Sequence, residues 1–290
     1  MAKKFHKRYY LIFLSTILGP LTTNALIPQF TILQENFGLS QVSLISLAIS
    51  LYTFPFAIFQ LFAGTFSDVV DKKKAVGLGF IIFISGLFMT IISVYSKIFP
   101  LFLIAFLMQG IGFSFINPTV LAILSIITPE EKEGMIMGIY NSSAGAGVSA
   151  GAFLSGFFAN TLGNWRLLFI TNFLVTIAAF ISFLVALKGC EQLVCRTFNS
   201  PGGSGGDSED SPSVVRATFL KLRQNLKVPI LMLGIIGFIC FFTVITMTNT
   251  LGEQMKASIS YLSDQEVVSL VSTILTINGL ISICLSPFTG

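Results

Sequence analysis

Eight long apolar segments dominate this chain, and they restrict it to folds that can cross a lipid bilayer. Each segment reaches the length of about 20 residues at which an α-helix spans the hydrocarbon core. Lipid offers no hydrogen-bond partner for bare backbone, so only helices or a closed β-barrel can span it. The segments lack the alternation of a barrel strand and are about twice too long for one. We therefore predict an all-α, polytopic membrane protein whose helices lie near residues 10–32, 42–66, 76–95, 99–127, 135–161, 166–187, 228–251 and 267–287.

The composition argues against the common soluble classes. Charged residues make up 10% of the 290 positions and hydrophobic residues 53%, whereas a soluble domain carries about 25% charged residues. Soluble enzymes, disulfide scaffolds, disordered proteins and nucleic-acid binders are all disfavoured. The four cysteines and the single histidine, His6, form no metal-binding spacing, and no enzyme constellation occurs. We expect no catalytic residue, no metal and no cofactor.

The basic residues are distributed unevenly over the connecting segments. If the N-terminus is cytosolic, fourteen Lys and Arg residues fall on the cytosolic side. Only Lys97, Arg166 and Lys256 fall on the outer side. This asymmetry follows the positive-inside rule, so the net charge of +4 reports topology rather than affinity for nucleic acid. It predicts a multi-pass protein of the plasma membrane with a cytosolic N-terminus.

One long polar segment divides the chain into three parts. Residues 1–187 are predicted to form a six-helix bundle, and residues 228–290 to contribute two further helices. Residues 188–227 form the predicted cytosolic linker. Its centre is rich in Gly, Ser and Pro, which is typical of a flexible connection. Its end alternates basic and apolar residues, which indicates an amphipathic lead-in at the membrane surface.

A short polar stretch closes the second segment. Gly64 and Asp68 are four residues apart and share one helix face, and Lys72 and Lys73 follow. Gly64 would allow a neighbouring helix to approach closely. Asp68 would place a carboxylate where an Arg or a helix N-terminus could receive it. An ordinary cytosolic turn with positive-inside lysines is the alternative interpretation.

This stretch resembles the loop of the major facilitator superfamily, in particular its drug-exporter-like branch of drug:proton antiporters. The loop in that family reads Gly-x-x-x-Asp-Arg-x-Gly-Arg-Arg, and the resemblance implies that Gly64, Asp68, Lys72 and Lys73 form a gating loop. The sequence departs from the pattern in having Val69 for the Arg and Asp71 for the Gly.

Further stretches resemble the same branch in order and spacing. They are Leu18-Gly19 with Pro28, Gln109-Gly-Ile-Gly112 with Asn117-Pro118, the glycines from Gly138 to Gly156, and Trp165-Arg166-Leu-Leu-Phe169. Phe106 and Val148 stand where the family has Arg and Pro. The resemblance covers all six N-terminal segments and implies two six-helix halves around a central site.

Small residues repeat every four positions in the fifth segment. The helix-packing glycines Gly147 and Gly151 lie in the repeat, flanked by Ser143 and Ser155. Such a stripe lets two helices pack closely. Two roles for this stripe are open: static packing, or a helix contact (a seam) that slides or hinges during transport.

None of the thirteen acidic residues lies in the middle of a segment, so the apolar segments offer only uncharged polar groups. Among these, Asn24, Gln109 and Asn117 are the candidates for the substrate cavity, because the family's first and fourth helices line it. Hydrogen bonds between helices are the alternative role for each of them. If protons are the coupling ion, we expect their carboxylate beyond Gly290.

The sequence therefore predicts transport, in the direction of export, of a small amphiphilic or drug-like solute within the lipid bilayer. The alternative is a transport-inactive remnant or a transporter-like membrane protein that binds a ligand. The resemblance also predicts a longer protein, because only two helices of a second half are present and the remaining C-terminal helices are missing. We expect residues 1–290 alone to insert but to be unstable or to oligomerise, and to show no coupled transport.

Overall fold

The structure is a computed structural model, and it describes residues 7–188 and 263–289. All regular elements in these ranges are helices, which confirms the predicted all-α membrane fold. The α-helices are α1 (Leu14–Leu26), α2 (Phe30–Phe37), α3 (Ser43–Val69), α4 (Lys72–Ser96), α5 (Phe99–Ile127), α6 (Glu133–Gly156), α7 (Leu167–Leu187) and α8 (Asp264–Thr289).

Seven of the eight predicted segments fall in the described ranges, and each is helical. The seventh segment, near 228–251, and the linker after Lys188 lie outside the described residues. Six helical stretches within the described part are long and apolar enough to cross a membrane. They are Tyr9–Phe37, Ser43–Ser67, Lys72–Ser96, Phe99–Ile127, Leu167–Leu187 and Gln265–Leu285.

The long helix α6 is not among these six candidate membrane spans, and its composition explains why. Its sequence is rich in Gly, Ser and Ala, which lowers its hydropathy although it runs for 24 residues. The small residues are used for packing, because α6 lies against both α1 and α8. A helix flanked by protein in this way needs less apolar surface than one that faces lipid.

The first span is one continuous helical path with a break in it. Between α1 and α2, residues Ile27–Gln29 form a 3₁₀ turn that contains Pro28. Proline has no N–H to donate to the preceding turn and its ring crowds the carbonyl there, so the regular α-helix is interrupted. Gln29 holds the break in place, because its Nε2 donates to the carbonyl and the hydroxyl oxygen of Ser155 on α6, at 2.9 Å each.

The core is aromatic and the outer surface is apolar. Phe80 and Phe83 on α4 and Phe102 and Phe106 on α5 are completely buried between helices. Large apolar side chains on the outside are exposed, such as Phe54, which is 62% exposed. In water such a surface would drive aggregation, whereas in a bilayer it faces lipid tails.

Candidate functional site

A cavity of about 550 Å³ opens where α1, α3, α5, α6 and α8 meet. This volume is within the range of typical small-molecule sites. The lining combines aromatic rings with amides and hydroxyls, and none of its described residues is charged. The lining residues are Thr16, Gly19, Pro20, Thr23, Asn24, Ile27, Ile49, Tyr52, Thr53, Phe56, Phe113, Asn117, Tyr140, Asn141, Ala144, Gly145, Val148, Asn278 and Ser282.

The structure places Asn24 in this lining, on α1. Its Nδ2 donates to the backbone carbonyl of Pro20 at 2.8 Å, one turn earlier in the same helix. It also lies 3.4 Å from the Thr23 hydroxyl. The amide nitrogen is therefore occupied within α1, whereas the amide carbonyl of Asn24 has no hydrogen-bond partner among the described residues.

Asn117 lies in the same lining, on α5. Its Oδ1 accepts a hydrogen bond from the hydroxyl of Tyr140 on α6 at 2.7 Å. Tyr140 was not among the residues predicted from the sequence. It lies four and eight residues before Ala144 and Val148, which line the same cavity, so the three share one face of α6.

Gln109 is the third sequence candidate, and the structure places it elsewhere. It is completely buried between α4 and α5, where its Nε2 donates to the hydroxyl of Thr90 at 2.8 Å. Gly86 provides the space, because a Cβ there would lie 2.8 Å from the Gln109 side chain. Gln109 thus has the interhelical role that the sequence left open as an alternative, and it does not line the cavity.

We expect Gln109→Met to leave solute binding unchanged. The methionine has a similar shape, and Thr90 keeps the bond that its hydroxyl donates to the Gly86 carbonyl at 3.0 Å. The hydroxyl of Thr90 therefore keeps a partner, and the variant also removes the Gln109 carbonyl oxygen, which is buried without a partner among the described residues, so stability should change by about 1 kcal/mol or less. Thermal unfolding in detergent and ligand affinity should both match the native chain. A selective loss of ligand affinity with normal stability would contradict this and indicate that Gln109 lines the cavity.

Aromatic side chains form one part of the cavity lining. Tyr52 and Phe56 on α3 and Phe113 on α5 form a cluster in which the Phe56 and Phe113 rings lie 5.4 Å apart. Gly110 allows this arrangement, because a Cβ there would lie 3.0 Å from the Cα of Tyr52 and closer still to its carbonyl oxygen. The close approach of α5 to α3 thereby fixes where the aromatic side chains stand.

The loop between α3 and α4 is built on two capping interactions. Asp71 is the N-cap of α4, and its side chain accepts a hydrogen bond from the backbone N–H of Lys73 at 2.9 Å. Lys72 is buried, and its Nζ donates to the backbone carbonyl of Ser67 at 3.0 Å, near the end of α3. Lys72 therefore closes the loop itself.

Gly64 and Asp68 lie in the last turns of α3. A Cβ built on Gly64 meets no atom within 4 Å. The expected close helix approach at Gly64 is therefore not found among the described residues, because the face of α3 that carries it is open there.

Gly147 and Gly151 do lie at a helix contact. A Cβ at Gly147 would lie 2.5 Å from the carbonyl oxygen of Ile17 on α1. At Gly151 it would lie 3.0 Å from the backbone nitrogen of Ala25 and closer still to the carbonyl oxygen of Leu21. The two glycines thus bring the backbones of α6 and α1 together beside the cavity.

Trp165 and Arg166 belong to one of the stretches that resemble the exporter branch. They lie at the end of the bundle opposite the α3–α4 loop. The Arg166 Nη2 donates to Oδ1 of Asn36 at 3.1 Å. Its guanidinium lies 5.1 Å from the ring centroid of Trp165 and 5.7 Å from that of Tyr95. These contacts connect the ends of α2, α4 and α7 away from the cavity, and they indicate a structural role.

Comparison with known families gives one match that covers nearly the whole chain. The model of the Major Facilitator Superfamily matches residues 12–290. That family consists of transporters and not of enzymes.

Individual relatives are more distant. The chain is similar to the efflux pump terG of Aspergillus terreus, with 26% identity over 53% of the chain. It is similar to the quinolone resistance protein NorB of Staphylococcus aureus, with 28% identity over 61% of the chain. It is also similar to the vacuolar membrane amino acid uptake transporter fnx2 of Schizosaccharomyces pombe, with 28% identity over 61%. The alignments cover 30%, 36% and 30% of those proteins, so the chain spans well under two thirds of the curated relatives it matches.

Proposed function

Because the chain belongs to the major facilitator superfamily, we propose that it moves a small amphiphilic or drug-like solute across the membrane by alternating access. The observation that carries the proposal is the cavity of about 550 Å³ between α1, α3, α5, α6 and α8. A site of this kind takes up a molecule of small-solute size, and helices from both sides of it can open and close around it.

The chemistry of the lining supports an amphiphilic solute. The rings of Phe56 and Phe113 offer an apolar surface, while Asn24, Asn117 and Asn141 offer hydrogen bonds. A sugar or a phosphate would need more polar groups, and for phosphate positive charge, than the described lining provides. A molecule with an aromatic part and a few polar atoms fits both features.

Export is the proposed direction. Its support is the resemblance of the sequence to drug exporters and the names of two relatives, an efflux pump and a quinolone resistance protein. The third relative is named as an uptake transporter, so direction needs its own measurement. Protons are the proposed coupling ion, in keeping with the antiporters that the sequence resembles.

We propose that the loop residues Gly64, Asp68, Lys72 and Lys73 control gating. The buried bond from Lys72 to the carbonyl of Ser67 supports this, since it joins the end of α3 to the start of α4. A loop held in this way transmits movement of one helix to the next.

Accumulation measurements test the proposed function. Bacterial cells that lack their own drug exporters would express the full-length protein and receive a panel of aromatic amphiphiles, whose cellular contents are read by mass spectrometry. We expect lower accumulation of at least one compound than in the same cells without the protein. Higher accumulation would indicate uptake. Equal accumulation of all compounds, together with normal membrane abundance, would reject transport by this chain and favour the ligand-binding alternative.

We also propose that the N-terminus and the 188–227 linker share the cytosolic side. The fourteen-to-three distribution of basic residues supports this orientation. A cysteine-free chain carrying Ser204→Cys should stay unlabelled by an impermeant thiol reagent in intact cells. It should label once the membrane is permeabilised. Labelling in intact cells would contradict this orientation and place position 204 on the outer side.

A further inference from the structure

Two asparagine amides in the cavity are held by the protein in opposite orientations. Asn24 uses its Nδ2 within α1, and Asn117 uses its Oδ1 toward Tyr140. We infer, on the basis of the proposed function, that the cavity selects uncharged solutes that carry an amide group, with Asn24 and Asn117 as the specificity-determining residues.

The orientation of Asn24 follows from the chemistry of its partner. The backbone carbonyl of Pro20 can only accept a hydrogen bond, so the atom of Asn24 that faces it at 2.8 Å must be the nitrogen. The oxygen Oδ1 has no partner within the part of the chain that the structure describes, and the half-buried side chain lines the cavity. Asn24 therefore presents a hydrogen-bond acceptor to a bound molecule.

Asn117 presents the complementary group. Its oxygen accepts from the Tyr140 hydroxyl at 2.7 Å, and the two N–H groups of Nδ2 have no partner in residues 7–188 and 263–289. The bond crosses from α5 to α6 and fixes the side-chain rotamer. Asn117 therefore offers a donor to the same cavity in which Asn24 offers an acceptor.

An amide is a small uncharged group that satisfies both residues, because its donor and its acceptor lie on different atoms. Its N–H can donate to the Asn24 oxygen, and its carbonyl can accept from the Asn117 nitrogen. A carboxylate has acceptors only, and an ammonium has donors only. Either would also bring a charge into a lining whose described residues carry none, and burying an unpaired charge is costly. The rings of Phe56 and Phe113 suit aromatic substituents on the amide.

Three probes of similar shape separate these contributions. Benzanilide joins two phenyl rings by an amide, phenyl benzoate by an ester and trans-stilbene by a vinylene group. The ester lacks only the N–H donor, and stilbene lacks both donor and acceptor. Radiolabelled probes would be equilibrated with the full 290-residue chain in lipid nanodiscs, and uptake by empty nanodiscs would be subtracted.

We expect affinity to fall from benzanilide to phenyl benzoate to stilbene. Each lost hydrogen bond should reduce the affinity by about fivefold, since a net bond contributes about 1 kcal/mol and 1.4 kcal/mol corresponds to tenfold. Asn24→Leu should abolish the preference for benzanilide over the ester. Asn117→Leu should abolish the preference for the ester over stilbene. Asn160→Leu, in the π-helical turn Phe157–Thr161 after α6 and outside this cavity, should change neither ratio.

The outcomes separate this inference from the proposed function. Equal affinity of the three probes for the native chain overturns amide selectivity and leaves transport of amphiphiles standing. The same holds if both ratios persist in the two cavity variants. If no probe binds, the amide inference falls together with the proposed solute cavity. The native-chain comparison needs no variant, so a variant that fails to fold does not remove the test.

Discussion

Gly151→Ala should destabilise the folded chain, because its new methyl group has no room between α6 and α1. The added Cβ would lie 3.0 Å from the Ala25 nitrogen and closer still to the Leu21 carbonyl oxygen. Both are backbone atoms, so a side-chain rotation cannot relieve the contact. Overpacking of this kind costs about 1–3 kcal/mol. The measurement is thermal unfolding of purified protein in detergent.

Gly77→Ala on α4 is the matched control, since a Cβ there meets no atom within 4 Å. That variant should be at least as stable as the native chain, because alanine favours helix more than glycine does. The pair also separates the two roles left open for the glycine stripe. Static packing predicts parallel losses of stability and flux in Gly151→Ala. Normal stability with no flux would indicate a seam that must slide.

The sequence was sufficient to locate the helices, because hydropathy depends on which residues occur and not on which way they face. The fourth predicted segment, 99–127, coincides with α5. The first was predicted as one helix over 10–32, whereas the span runs to Phe37 and breaks at Ile27–Gln29. Pro28 was the visible signal for that break.

The site was harder to predict, because it depends on helix rotation. Gln109 and Asn117 lie on the same helix, eight positions apart, which separates them by about 12 Å and by roughly a quarter turn. That rotation puts Gln109 against Thr90 and Asn117 in the cavity. Long-range pairs such as Tyr140 with Asn117 cannot be read from one sequence, because nothing local indicates which helices will be neighbours.

The second large effect is expected at Asp68. It lies in the last turn of α3, where the free carbonyl groups give the helix end a partial negative charge. A carboxylate at this position is unfavourable unless a positive group offsets it. The ammonium of Lys72 offers such a positive group at this end of α3, where it donates to the carbonyl of Ser67 at 3.0 Å. We therefore expect removal of the Asp68 charge to change the electrostatic balance of the loop between α3 and α4.

Asp68→Asn removes this charge without changing the shape of the side chain. If gating depends on this charge, we expect flux to fall by a factor of about 10 to 100, which corresponds to roughly 1.4–2.8 kcal/mol. Membrane abundance should be nearly unchanged, because the asparagine relieves the unfavourable interaction with the helix end. Initial flux rates normalised to the amount of protein in the membrane provide the measurement.

Asp71→Asn is the matched comparison, three residues further along the same loop. Asp71 caps α4 through the N–H of Lys73 at 2.9 Å, and asparagine caps a helix about as well as aspartate. The Asp71→Asn variant should keep most of the flux, whereas Asp71→Ala should lose about 1 kcal/mol of stability. The two asparagine variants change the same charge at neighbouring positions, so a difference between them measures position and not net charge. Equal, undiminished flux in both would mean that Asp68 is a surface charge without a role in gating.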